Sequence, residues 1–186
     1  MILRETPLAG AFVVEVEPFQ DERGLFARTY DRDEFAERGL STEIAQVSTS
    51  YNRRRGTLRG LHFQLPPHEE AKLVRVTGGA VYDVMVDLRP DSATHRRWFA
   101  TELSRDNRRM VYIPEGFAHG FLTLEDDSEV HYQISHPFTP DAYAGVRYDD
   151  PAFGIEWPDV GELIVSDKDR SLPDFETSPQ LAPLRP

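Results

Sequence analysis

Cysteine is absent from the 186-residue chain, so disulfides, thiolate nucleophiles and Cys-ligated metals are excluded. No apolar run approaches the roughly 20 residues that a bilayer-spanning helix needs. Arg4, Glu5, Glu15 and Glu17 interrupt any apolar core of a secretory signal near the start. The expectation is a cytoplasmic protein with no membrane partner. None of the six histidines forms a His-x-His motif, which disfavours the mononuclear metal site that small β-barrels build from that motif plus a later Glu and His. Basic residues are the minority, 21 against 32 acidic, for a net charge of −11. That balance argues against nucleic-acid polymers, which need a basic surface. It leaves room for a small anionic ligand held by a local arginine cluster.

The length predicts one domain spanning residues 1–186, able to bury about 70% of its unfolded surface. Twelve glycines and 14 prolines favour many turns and few long helices. Between these breakers, short runs rich in β-branched and aromatic residues predict strands near Ala11–Val16, Gly24–Tyr30, Glu43–Ser50, Thr57–Gln64, Lys72–Val76 and Ala80–Leu88. Further strands are predicted near Trp98–Leu103, Met110–Ile113, Gly120–Glu125, Val130–Ser135 and Gly145–Asp149. Many short strands at close spacing indicate an all-β sandwich or barrel. One helix is clear, with Asp31 as cap, Glu34 three residues later as in a capping box, and Gly39 to end it. Thr77-Gly78-Gly79 and Glu125–Ser128 are read as hairpin loops. From about residue 150, loops and short helices are expected, ending in a loose Pro-rich tail over 178–186.

The run AVYDVMVDL predicts a central strand with Tyr82, Val84, Val86 and Leu88 on one face and Val81, Asp83 and Met85 on the other. An unpaired acid between Val81 and Met85 would be costly in an apolar interior. Either that face opens on a polar cavity, or Asp83 has a buried partner, which includes an ordinary structural hydrogen bond. Only His62 and His119 lie in strongly patterned segments, TLRGLHFQ and PEGFAHGF. Lys72 opens the strand KLVRV, either as a solvated edge charge or as fixed positive charge inside a barrel. Arg59, between Leu58 and Gly60, is a better candidate ligand contact than the solvated Arg53-Arg54-Arg55 turn. Strict alternation puts Leu58, Gly60 and His62 on one face and Arg59 on the other; a bulge or twist at Gly60 would reconcile them, and the alternative is that Arg59 serves a different part of the site.

The segments TLRGLHFQ, EAKLVRV, GAVYDVMVDLRP, PEGFAHGFLTL, YQIS, DDPAFGIEWP and SDKD occur in that order. Together they resemble the dTDP-4-dehydrorhamnose 3,5-epimerase family, cofactor-free sugar-nucleotide epimerases with a cupin-type jelly roll. The resemblance runs from about Thr6 to about Asp169. It implies that His62 is the general base, that Asp83 is the acid paired with it, and that Asp169 is an active-site acid near the same histidine. It further implies Lys72 beside the sugar carbonyl and Tyr132 as general acid on the opposite face. His119 and Lys168 are implied pocket residues, and Arg23, Phe26, Gln46 and Arg59 are implied ligand contacts. No cofactor and no metal are implied. The implied ligand is a dTDP-linked 4-keto-6-deoxy sugar, and the implied assembly is a homodimer in which a neighbouring subunit's strand completes each site.

The implied chemistry needs these groups. In a 4-keto sugar, C3–H and C5–H are both α to a carbonyl, and removing either proton leaves an enolate with charge on the C4 oxygen. A lysine ammonium stabilises that oxyanion, a neutral imidazole takes the proton, and a phenol returns one to the other face. The chain departs from the family pattern at Arg28, where an acid is common, and at Gln133 and Phe138, where YKxT and a Tyr-Tyr pair are common. The last change removes a hydroxyl from the pocket's neighbourhood.

Overall fold

The computed structural model describes residues 1–185. Fourteen strands are present in this part of the chain. They run β1 (Ile2–Glu5), β2 (Phe12–Glu15), β3 (Phe19–Asp21), β4 (Gly24–Phe26), β5 (Gln46–Asn52), β6 (Thr57–Gln64) and β7 (Lys72–Gly78). The series continues with β8 (Ala80–Asp87), β9 (Trp98–Ser104), β10 (Met110–Ile113), β11 (Phe117–Thr123), β12 (Ser128–Ile134), β13 (Tyr143–Gly145) and β14 (Ile164–Val165). Helices α1 (Arg32–Ala36) and α2 (Asp167–Arg170) are short. No helix among the described residues is long and apolar enough to cross a membrane.

Two sheets face each other. The first has the order β1-β2-β10-β7-β12-β5; the second has the order β13-β6-β11-β8-β9, with β14 added parallel to β6. The core between them takes Val74, Val76, Val111, Ile113 and Val130 from the first sheet and Val81, Met85, Leu103, Phe117 and Phe121 from the second. This is the cupin-type jelly roll that the resemblance implied. The predicted faces of β8 hold: Val81 and Met85 look into the core, while Val84, Val86 and Leu88 pack on the outer side of the second sheet.

Both predicted hairpins are instead arches between the sheets. Strand β7 pairs with β10 and β12, and β8 pairs with β9 and β11, so Thr77-Gly78-Gly79 carries the chain from one sheet to the other. Glu125–Ser128 does the same between β11 and β12. A Gly-containing loop reports a chain reversal, but not which sheet receives the next strand. Gly79 lies at φ +66°, and a Cβ there would sit 2.5 Å from the Ser128 hydroxyl.

Asp31 caps α1 by accepting from the Asp33 and Glu34 amides. Glu34 does not close the box; it turns to the N-terminal ammonium. Gly39, at φ +69°, ends the turn, with Gly39 N–H bonded to Ala36 O and Leu40 N–H to Phe35 O. Phe35 then covers the outer face of the first sheet with Leu73, Met110 and Tyr112.

Several boundaries differ from expectation: the strand expected at Glu43–Ser50 is Gln46–Asn52, and the one expected at Gly120–Glu125 is Phe117–Thr123. The strand predicted to Tyr30 ends at Phe26, the one predicted at Gly145–Asp149 is Tyr143–Gly145, and residues 178–185 are not loose. A 3-10 turn over Pro179–Leu184 buries Leu181 and Leu184 against Phe153 and Phe175 on the outer face of the second sheet. Burial of a leucine side chain contributes about 1.5–3 kcal/mol, enough to dock a segment whose composition alone reads as linker.

Candidate active site

The site gathers on the inner side of β6, and a bulge shapes it. In β6 and β11, His62 pairs with His119 but Arg59 pairs with Phe121, so three steps on one strand oppose two on the other. The extra residue at Gly60-Leu61 reverses the alternation. Leu58 and Leu61 both pack outward, which turns Arg59 and His62 to the same inner side. The expected bulge is therefore present, and the strict-alternation grouping of Leu58 with His62 is corrected. Only glycine fits here. Gly60 has φ +119°, and a Cβ on it would lie 2.7 Å from the Gly120 Cα and 2.8 Å from the His119 carbonyl oxygen.

His62 Nε2 is 2.7 Å from Asp169 Oδ1. Asp169 arrives from α2, where Ser166 caps the turn by accepting from the Asp169 amide. Burial raises the tendency of the Asp169 carboxyl to protonate, but hydrogen bonding and charge from His62, the Gly60 N–H and Ser166 outweigh it and hold the group below the usual carboxylate range. It is thus an anion that fixes the imidazole's orientation.

Asp83 does not pair with His62. Its Oδ2 lies 2.9 Å from His119 Nε2, and both side chains are sealed from solvent. Asp83 and His119 project from neighbouring strands β8 and β11 onto the same inner face, so the sheet itself supplies the partner. His62 lies at the strand's mouth end, where α2 supplies one. The His119 ring meets the Tyr132 ring edge-on, with centroids 6.1 Å apart, so His119 backs the wall behind Tyr132.

Tyr132 stands on β12 in the opposite sheet, at the rim of the inter-sheet core. Burial, reinforced by the Asp83 charge and opposed by Arg59, pushes its phenol far up, so it stays protonated. Lys72 shares the inner face of β7 with Val74 and Val76. It is buried, with Nζ 2.9 Å from Glu70 Oε1 and 3.5 Å from the His62 carbonyl oxygen. Arg59 Nε donates to the buried Asn52 Oδ1 at 2.8 Å, which anchors one edge of an otherwise exposed guanidinium.

The remaining expected residues divide into two groups. Gln46 lies at the start of β5, its side-chain oxygen accepting from the Phe138 amide, and Lys168 sets its ammonium 3.9 Å from the Tyr143 ring centre. Arg23 and Phe26 stand apart on the exposed β3–β4 ribbon, where Arg23 pairs with Asp21. Phe26 lines a cavity of about 460 Å3 with Leu25, Arg75, Arg105 and Arg108, outside the His62 cluster. Sequence reasoning missed Asn52, Glu70 and Tyr143. The Tyr143 ring centre is 5.4 Å from that of His62, but its segment, DAYAG, carries no pattern that would mark it. Among the described residues no group of three or more His, Asp or Glu gathers to hold a metal.

An imidazole on one sheet, paired with a carboxylate from α2, a protonated phenol on the opposite sheet and an ammonium beside the His62 backbone make a candidate proton-transfer site in a jelly roll. A family model described as dTDP-4-dehydrorhamnose 3,5-epimerase matches residues 5–177. The chain is 44% identical over 177 residues to the dTDP-4-dehydrorhamnose 3,5-epimerase of Methanothermobacter thermautotrophicus, covering 94% of this chain and 95% of that protein. Among solved structures, the Bacillus anthracis dTDP-4-dehydrorhamnose 3,5-epimerase with TDP and PPi bound superposes with a TM-score of 0.89 at 41% identity, covering 93% and 98% of the two chains. The Legionella pneumophila dTDP-6-deoxy-D-glucose-3,5-epimerase in complex with dTDP-4-keto-L-rhamnose gives a TM-score of 0.92 at 32% identity, over 100% and 97%. The chain belongs to the dTDP-4-dehydrorhamnose 3,5-epimerase family.

Proposed function

We propose that the protein is a cytoplasmic isomerase that inverts C3 and C5 of a dTDP-linked 4-keto-6-deoxyhexose. The observation that carries this reading is the placement of His62 and Tyr132 on facing sheets. Packed sheets lie about 10 Å apart, which leaves room for a pyranose ring between a base on one wall and an acid on the other.

His62 takes the proton from C5 or C3, and the C–H electron pair moves into the ring–C4 bond while the carbonyl pair moves onto the C4 oxygen. Lys72 stabilises that enolate oxygen. Tyr132 then gives its proton to the same carbon from the opposite wall, and the enolate collapses to the ketone. One C–H bond breaks and one forms, with no change in oxidation state. Exchange with solvent removes the proton from His62 and restores that of Tyr132. Arg59 favours the transient phenolate and Asp83 opposes it. The anionic Asp169 keeps the imidazole aimed and stabilises its protonated form.

Arg59, with Nε spent on Asn52, presents its remaining donors to the diphosphate. Gln46 and Lys168 serve the ligand from the mouth. Arg23 and Phe26 are too far out on their ribbon to serve their own subunit, and they reach the site of a second copy in a homodimer. Their exposure on a projecting two-stranded ribbon supports this assembly.

Incubation with dTDP-4-keto-6-deoxyglucose in D2O tests the reading. Deuterium is expected at both C3 and C5. Incorporation at one carbon alone would make the protein a monoepimerase, and none with any 4-keto sugar nucleotide would refute the activity. Sedimentation as a monomer at catalytic concentrations would refute the shared site.

A further inference from the structure

One polar group beside the base has no task in the mechanism above. Tyr143 sits on β13, the edge strand that pairs with β6, in register two residues from His62: Gly145 is opposite His62 and Tyr143 opposite Gln64. Its ring is held on three sides. The His62 ring centre lies 5.4 Å away and the Phe138 ring meets it edge-on at 5.7 Å. The Lys168 ammonium sits over its face at 3.9 Å, a geometry in which the charge is attracted to the ring's negative face. The ring's position is therefore determined by packing, whereas its hydroxyl makes no hydrogen bond among the described residues and is not sealed from solvent.

A phenol buried for structural reasons normally spends its O–H on a partner. This one is half-buried, on the same wall as the base, with its donor unspent. Burial, with the nearby charges of Asp169 and Glu70, pushes its pKa up to about 12, so it is a neutral donor throughout the physiological range. Tyr132 on the facing sheet is likewise protonated, but its proton is consumed in the mechanism, whereas that of Tyr143 is not.

We propose that the Tyr143 hydroxyl is a substrate contact of this chain, donating a hydrogen bond to an oxygen of the hexose on the His62 side and so fixing the ring's position relative to the base. The proposal rests on the epimerase reading. Its ligand class is the same 4-keto sugar nucleotide, and it adds a specificity-determining residue that the family pattern did not point to. A bound ring oriented from the base's own wall presents its C–H bond to His62 in a reactive geometry, which is where positioning has most leverage on rate.

The test is Tyr143→Phe, which keeps the ring, its contact with Phe138 and the seat for Lys168, and deletes only the oxygen. Steady-state kinetics and solvent deuterium exchange are measured beside the thermal midpoint. Loss of one hydrogen bond between neutral groups predicts a fall of about tenfold in kcat/KM, with the midpoint unchanged. Activity equal to wild type overturns the proposal. So does a fall accompanied by a matching drop in thermal midpoint, since that would mean the oxygen only supports the fold. Absence of exchange in the wild type would overturn both this contact and the epimerase reading, whereas a fully active wild type with an equally active Tyr143→Phe removes Tyr143 alone.

Discussion

His62 and His119 face each other across β6 and β11 as register partners, and each is paired through Nε2 with an aspartate. The two pairs nevertheless belong to different regions. In the first, the side chains of His62 and Asp169 are 28% and 7% exposed; in the second, those of His119 and Asp83 are 4% and 0% exposed. Equivalent chemistry thus meets two solvents. The His62 imidazole can reach a ligand and exchange its proton with water. His119 is sealed from solvent, and its pair with Asp83 backs the wall behind Tyr132. The origins of the acids differ too. Asp83 comes from the adjoining strand of the same sheet, whereas Asp169 is delivered by a helical turn from beyond the sandwich. Pairing with a carboxylate identifies neither a catalytic nor a structural histidine; access and the direction from which the acid arrives separate the two pairs.

The largest expected effect falls on the open pair. His62→Ala should lower deuterium exchange at both carbons by about 10²–10⁴-fold, the range over which general-base groups act, while the protein stays folded. Normal exchange in that variant would mean that the base has been misassigned. The closed pair should answer in stability instead. Removing one partner of a buried pair costs about 3–5 kcal/mol, so His119→Ala should unfold at clearly lower urea than wild type. Unchanged urea midpoints would show that the interior pair does not support the fold.

A smaller and more selective effect is expected at the phenol between the pairs. Tyr132→Phe should retain exchange started by His62 but fail to deliver the proton to the opposite face. The outcome to measure is exchanged, uninverted sugar by NMR; complete inversion would place the acid elsewhere.

The smallest effect is on pH dependence. The carboxyl of Asp169 is held below its unfolded value near 3.9, so the stability it contributes is fully present above that pH and is lost as pH falls through its folded value. Wild type and Asp169→Asn should therefore keep a constant stability difference, as far as Asp169 titrates, from neutral pH down to about 4. The gap should close only below that. A gap that closes between pH 5 and 7 would contradict an ionised Asp169 in the working range.

Much of this comparison was legible residue by residue. His62, Lys72, Tyr132 and Asp169 were marked by their segments, and the strands Thr57–Gln64 and Met110–Ile113 match expectation at both ends. The place of Asp83 between Val81 and Met85 put it on the inward face, with a polar cavity or a buried partner both open. The identity of its partner was not legible, because alternation tells which face a side chain occupies and not which neighbour shares it. Tyr143 was invisible for the same reason: its placement depends on the rings of His62 and Phe138 and on the Lys168 ammonium from α2.

What the sequence by itself determined is the periodicity of the strands, the all-β class and the place of the helix capped by Asp31; the side chains able to move a proton were implied by the family resemblance. The periodicity, class and cap follow from forces acting over a few residues, namely steric alternation, turn chemistry and capping. Only the tertiary structure decided that two glycine loops are arches and not hairpins, that the Pro-rich end docks, and that Asp169 serves His62 while Asp83 serves His119. Those outcomes depend on which distant surfaces bury one another, and burial is a property of the assembled sheets.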